Sequence, residues 1–240
     1  MARLVADAKT FLAGLEPGSA GLLITDPPWD LQGSGRFDDV AAYSRMSVAA
    51  VVDALKPAQV ALRRGAHAYF YAPCGAELPE FMARMEADGW RFQRILAWEK
   101  GQAGLGAYQN AWEPVLIYSN GPPDRYRANG QHKSLLKWDR PAGRTAKPWQ
   151  TYKVFMEMSS DPDDLVVDPF CGSNPLATAC SYLVPARRWA ASDLETAEAV
   201  EKRLRTSDTT GKGRRAARLA NGPADGQRLL TASGNLEAKE

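Results

Sequence analysis

The chain has 240 residues, 45% of them hydrophobic, and a formal net charge of +2, enough apolar content for one packed α/β domain and little more. The nearly balanced charge does not mark a nucleic-acid binder by its total, but Lys and Arg gather from Arg125 to Arg144 and from Arg203 to Arg218. Cys74, Cys171 and Cys180 are odd in number and far from metal-ligand spacing, and neither an apolar signal core nor a bilayer-length run is present. The expectation is a soluble cytoplasmic protein with reduced thiols, no metal and no membrane contact.

Short apolar runs alternate with helical patterns, which predicts a parallel sheet flanked by helices. In chain order, Leu22–Thr25 reads as a strand, and Ser47–Arg64 as a helix broken or bent near Pro57. Strand Ala68–Ala72, helix Ala76–Asp88 and strands Phe92–Trp98 and Val115–Tyr118 follow. Between Gly121 and Arg144 the periodicity dissolves into Pro, Gly, Arg, Lys and His, the mark of an inserted loop. Helix Thr151–Ser159, strand Leu165–Asp168, helix Leu176–Leu183 and strand Trp189–Ser192 complete the pattern. After about Arg205 large apolar residues nearly vanish, which reads as a mobile tail.

The first strand runs into Asp26-Pro27-Pro28-Trp29. Open α/β sheets place ligands at the carboxyl ends of their strands. Two prolines fix the backbone there and remove two N–H donors. What remains is a rigid turn of acceptors, the Asp26 carboxylate and the Pro27 carbonyl, with an aromatic plane beside it. That set suits an exocyclic amine, which has two N–H donors and belongs to a flat ring. Holding both hydrogens would draw the nitrogen lone pair out of conjugation. By itself, the run reads equally well as an acidic Pro-Pro turn with Trp29 as packing.

A second strand ends in Asp168-Pro169-Phe170-Cys171-Gly172-Ser173-Asn174, with Pro175 placed to open a helix. Such a small-residue turn admits a ligand close to the backbone, and the helix start favours its negative group. Asp193 ends the next strand, in the usual place of the acid that grips ribose hydroxyls. Strand, loop, helix and second acid together point to a nucleoside cofactor.

The DPPW and DPFCGS segments resemble the catalytic and cofactor motifs of DNA amino-methyltransferases that use S-adenosyl-L-methionine. The catalytic motif comes first, which resembles the permuted beta group of that family. The opening stretch from Val5 to Trp29 resembles the family's entry region and implies that Asp7 lies near the adenine end of the cofactor. Trp112-Glu113 stands in the usual place of the family's polar-Glu pair, and Ala146-Lys147-Pro148 resembles the Gln-Lys-Pro element before the cofactor loop. The resemblance implies a Rossmann-like methyltransferase fold, α/β with a mostly parallel sheet and helices on both faces. It places the catalytic domain at residues 1–204, with a variable basic target-contact loop at 121–146 and a flexible basic tail at 205–240. Asp26, Pro27, Pro28 and Trp29 would be catalytic. Asp7, Lys147, Pro148, Asp168, Pro169, Phe170, Gly172, Ser173, Asn174 and Asp193 would hold the cofactor.

Where the family has Gly-Ser-Gly-Thr-Thr, this chain has Gly172-Ser173-Asn174-Pro175-Leu176. Asn is the best non-glycine residue for a left-handed dihedral, so the turn is expected to persist. Arg125, Arg127, Lys133, Lys137, Arg140 and Arg144 are candidate phosphate contacts. The short variable segment implies recognition that is brief, relaxed, or shared through a homodimer or second subunit. The resemblance implies DNA as the substrate class, with adenine N6 favoured because the motif opens with Asp, where the family's cytosine-N4 enzymes more often have Ser. RNA adenine, cytosine N4 and a catalytically silent nucleic-acid-binding subunit are the alternatives.

Overall fold

The computed structural model describes residues 2–30, 45–100, 111–127, 132–139, 146–196 and 198–200. The tail at 205–240, together with Arg140 and Arg144, lies outside them. Eight strands form one sheet: β1 (Ala2–Val5), β2 (Ala20–Thr25), β3 (Leu62–Tyr71), β4 (Arg91–Glu99), β5 (Trp112–Ser119), β6 (Leu135–Lys137), β7 (Leu165–Asp168) and β8 (Arg188–Asp193). Their order is β1-β8-β7-β2-β3-β5-β4-β6. Pairing is parallel from β1 through β3, antiparallel on both sides of β5, and parallel again between β4 and β6.

Helices α1 (Ala8–Ala13), α2 (Val48–Leu55), α3 (Ala58–Ala61) and α4 (Glu77–Ala87) come between the earlier strands, and α5 (Trp149–Ser159) and α6 (Pro175–Ser181) between the later ones. One core holds Phe11, Leu23, Val51, Leu55, Phe70, Phe81 and Met85; the other holds Leu22, Ile24, Tyr69, Tyr71, Phe155 and Leu176. Successive residues of β2 therefore feed opposite layers. That explains its unbroken apolar run, since a strand covered on both faces has no polar side.

Three departures from the sequence reading have local causes. The helix over Ser47–Arg64 is interrupted at Pro57 as expected, but it ends at Ala61, and Leu62 begins β3. Gly65 has φ +88°, outside any right-handed helix, and β3 is claimed by partners on both edges. The segment at 121–146 is not wholly loop: β6 pairs with Ala97, Trp98 and Glu99. Leu136 is buried there, and the Trp98 indole N–H donates to the Trp138 carbonyl at 2.8 Å. Strand β1, which pairs with β8, was not foreseen because its residues are mostly exposed.

Inside the sheet, on the side of β3 away from the strand carboxyl ends, His67 is buried and stacked on Tyr126, with ring centroids 4.6 Å apart and planes 3° from parallel. Neither ring nitrogen has a hydrogen-bond partner. Burial depresses its pKa to about 4; Asp124 opposes the shift, while Arg127 and Arg63 add to it. An unfolded chain takes up the proton near pH 6.5, so this contribution is present above that pH and is lost as pH falls toward 4. Urea titrations of the wild type are expected to lose about 1–2 kcal/mol from this residue between pH 7 and 5. His67→Phe should lack that increment, so the stability difference between the two proteins must change with pH over this window.

Candidate active site

Strands β2 and β7 are parallel neighbours, with Leu23 opposite Val167, so their last residues, Thr25 and Asp168, emerge side by side. The Thr25 hydroxyl donates to Asp168 Oδ1 at 2.7 Å. The Phe170 N–H donates to the same oxygen at 3.1 Å, and the Tyr152 hydroxyl lies 3.4 Å from Oδ2. Asp168 is completely buried. Burial pushes its pKa up to about 7; the bonds from Thr25 and Phe170 resist the shift, while Asp26 and Asp193 add to it. This carboxyl clamps two strand ends together.

Beyond the clamp lies a cavity of about 420 Å³, within the size range of small-molecule sites. The first motif contributes Asp26 and Pro28; the second contributes Pro169, Phe170, Cys171, Gly172 and Ser173. Asp7, Lys147 and Asp193 also line it, whereas Pro27, Trp29, Pro148, Asp168 and Asn174 do not. The sequence reading missed Met46, Ala50 and Asp53 on the α2 side, and Tyr152, Leu194 and Glu195. Met46 is brought in by a bridge to Trp29, a long-range pairing that no local pattern announces.

The loop is built as its sequence requires. Gly172 has φ +47°, and a Cβ placed on it would meet no atom within 4 Å, so the backbone borders open cavity space. Asn174 adopts the left-handed conformation (φ 58°, ψ 56°), and its side-chain oxygen accepts the Ala177 N–H at 3.1 Å, capping α6. The departure from glycine therefore preserves the turn and adds a cap. Asp193 braces the same loop, accepting the Gly172 N–H at 2.8 Å and the Glu195 N–H at 3.0 Å. Arg3 of β1 donates to the carbonyls of Gly172 and Glu195. The donor set fits a nucleoside cofactor: carboxylates at Asp7, Asp193 and Glu195 can accept from hydroxyls and an amine, and Phe170 offers an apolar wall.

The acceptor turn is equally constrained. The Trp29 N–H donates to the Pro27 carbonyl at 3.0 Å, closing a three-residue turn, and the Met46 N–H donates to the Pro28 carbonyl at 2.7 Å. Each carbonyl retains a second lone pair. The Trp29 indole N–H donates to the Tyr71 carbonyl, and its ring meets Phe81 at 4.9 Å, close to edge-on. Lys147 Nζ lies 2.6 Å from Asp26 Oδ2 and 3.3 Å from Glu113 Oε2. Lys100 reaches the other oxygen of Glu113 at 3.2 Å. Lys147 also lies over the rings of Tyr71 and Trp98, at 5.2 and 5.8 Å from their centroids. The sequence placed Lys147 with the cofactor. The structure puts it on both the cavity and the Asp26 carboxylate.

The basic candidates divide between the two ends of the strands. Lys137 ends β6 on the Asp26 side and pairs with Glu99 at 3.2 Å, and Lys133 is exposed nearby in sequence. Arg125 and Arg127 follow β5, which runs antiparallel, and so lie at the opposite end of the strands. Arg127 is committed there to Asp161 at 2.7 Å and Asp124 at 3.7 Å. Among the described residues no cluster of His, Cys, Asp and Glu could hold a metal ion, and no helix is long and apolar enough to cross a membrane.

Residues 21–186 match the family model for N6/N4-type DNA methylases. The chain belongs to the DNA methylase family. It is 39% identical over 78 residues to the type II methyltransferase M.EcaI of Enterobacter cloacae, covering 32% of this chain and 16% of that enzyme. With the type II methyltransferase M.HpaI of Haemophilus parainfluenzae it shares 25% over 218 residues, 75% of this chain and 66% of the relative. The chain thus spans less than two thirds of either. Its fold matches the crystal structure of the M1.HpyAVI–SAM complex, with a TM-score of 0.62 at 16% identity, covering 84% of this chain and 98% of that one. It also matches the cytosine-N4-specific PvuII DNA methyltransferase, with a TM-score of 0.67 at 18% identity and coverage of 92% and 91%. This family member has the Rossmann-like methyltransferase fold.

Asp168 yields the prediction of this site. Its folded pKa is raised above that of an unfolded aspartate, so its contribution to stability is present below about pH 4 and is lost as pH rises toward 7. Asp168→Asn can still accept from Thr25 and Phe170 without ionising. In urea titrations its stability relative to wild type should rise from pH 5 to 7 and level off above that. A pH-independent difference would refute the buried titration.

Proposed function

We propose that this chain transfers a methyl group from S-adenosyl-L-methionine to the exocyclic amino group of a base in DNA, adenine N6 being favoured. The observation that carries the reading is that the acceptor turn from β2 and the loop from β7 emerge from adjacent strands and line a single cavity. In the order of its motifs, catalytic before cofactor, the chain reads as a member of the permuted beta group.

The cofactor would be held by Asp7, Phe170, Gly172, Ser173 and Asp193, with Glu195 added from the cavity lining, and would supply an electrophilic methyl on sulfur. The target base would leave its stack and enter beside Asp26, since an amine inside the duplex is out of reach. One amine hydrogen would go to Asp26 and the other to the remaining lone pair of the Pro27 carbonyl. The lone pair on nitrogen is then released from the ring and aimed. Rate enhancement on this reading is positioning plus stabilisation of the positive charge that grows on nitrogen beside a carboxylate. No metal and no covalent intermediate enter.

Lys133 and Lys137, with Arg140 and Arg144, are the phosphate contacts of this proposal, because Lys137 lies at the same strand end as Asp26. Residues 1–204 would be the catalytic unit and 205–240 a basic tail, with recognition completed by a second copy or another subunit. A DNA substrate and three cysteines outside any disulfide both fit the cytoplasm.

Asp26→Ala is expected to bind S-adenosyl-L-methionine as the wild type does in calorimetry, while methyl transfer to DNA falls at least about 100-fold. An unchanged rate would remove Asp26 from the chemistry. Digestion of DNA labelled with a radioactive methyl group should yield N6-methyladenosine nucleoside; a labelled cytosine would assign the enzyme to the N4 side of its family.

A further inference from the structure

We infer that Lys147 is a specificity-determining residue that reads the ring nitrogen next to the target amine. The inference rests on the reading of Asp26 as the amine's acceptor. It begins from the 2.6 Å separation of Lys147 Nζ and Asp26 Oδ2, both on residues that line the cavity. An acceptor and a donor thus stand side by side in a water-poor site, their side chains 19% and 11% exposed. Adenine and cytosine share an edge of matching form: an amine that donates and, one bond further round the ring, an unprotonated nitrogen that accepts. Guanine and thymine carry the reverse, a carbonyl and an N–H. With Asp26 on the amine and Lys147 on the ring nitrogen, the pair selects amino-bearing bases by charge-assisted hydrogen bonds. It also fixes the base in its plane, which two bonds to the amine alone do not.

The surroundings of Lys147 suit a fixed donor. Glu113 holds it from a second side at 3.3 Å, and Lys100 in turn holds Glu113 at 3.2 Å. The four charges alternate along Asp26, Lys147, Glu113 and Lys100 and sum to zero, so this row adds no net charge to the site and an ammonium can persist beside the cavity. The rings of Tyr71 and Trp98 border the same ammonium. A lysine serving only the cofactor would have no need of the Asp26 contact.

The test replaces the ring nitrogen and leaves the amine in place. Digestion first locates the target base, and a duplex is then made with 1-deazaadenine at that position, or 3-deazacytosine if the target is cytosine. Removing the ring nitrogen leaves the amine no poorer a nucleophile, so a slower reaction reports the lost contact. Wild-type kcat/KM is expected to drop about 10- to 100-fold on the analogue, the value of one good base contact. Lys147→Met should be slower on the natural base yet distinguish the two duplexes by no more than about threefold, with affinity for S-adenosylhomocysteine in calorimetry nearly unchanged. Equal wild-type rates on both duplexes overturn the inference while leaving the proposed activity intact. So does discrimination that survives in Lys147→Met, or a loss of cofactor affinity that matches its loss of rate. If the variant does not fold, the wild-type comparison decides alone. If wild type transfers no methyl to either duplex, the proposed activity itself falls and takes this inference with it.

Discussion

A single buried hydrogen bond, from the Thr25 hydroxyl to the Asp168 carboxyl, fixes the relation on which everything else in this structure depends. It joins the ends of two adjacent parallel strands, and each strand then delivers one half of the site. Beyond Thr25 the chain enters the acceptor turn; beyond Asp168 it enters the small-residue loop. Because the carboxyl is fully buried, the bond is shielded from competing water, and an unpaired Asp168 would be costly. The two halves are held to one geometry by a contact that neither ligand would touch.

Outward from that clamp the architecture repeats one device. Side chains whose residue types suggest ligand binding are used to brace backbone. Asp193 spends both oxygens on N–H groups of the loop and its neighbour. Asp7 caps α1, accepting the Thr10 N–H and hydroxyl. Trp29 is fastened through its indole to the Tyr71 carbonyl. Asp7 and Asp193 still line the cavity with part of their hydrogen-bonding capacity, and the orientation of all three groups is settled before any ligand arrives. Pre-set groups of this kind need little reorganisation when charge develops, which is where electrostatic catalysis gains its effect.

The strands that lead into the cavity were legible in the sequence because they are covered on both faces. Leu22–Thr25 and Leu165–Asp168 read as apolar runs ending in an acid and a turn, and those ends are where the site lies. Elements at the margins were not. Strand β1 exposes most of its residues, and β6 is three residues long with only Leu136 buried, so neither leaves a periodic signature. The ion pair of Lys147 with Asp26 joins residues 121 positions apart in the chain, and a lysine before a proline is consistent with many roles. The strand end occupied by Arg127 was likewise invisible, because charge patterning records clusters and carries no information about which end of the sheet they reach.

Asn174 has one further consequence, for the chemical ageing of the protein. An asparagine in a left-handed turn is ordinarily exposed to deamidation, in which the next residue's backbone nitrogen attacks the side-chain amide and closes a succinimide ring. Here the next residue is Pro175, whose nitrogen carries no hydrogen and cannot make that attack. The same proline that opens α6 therefore protects the amide that caps it. The loop holds its asparagine without the slow loss of nitrogen that would install a new negative charge at the rim of the cavity.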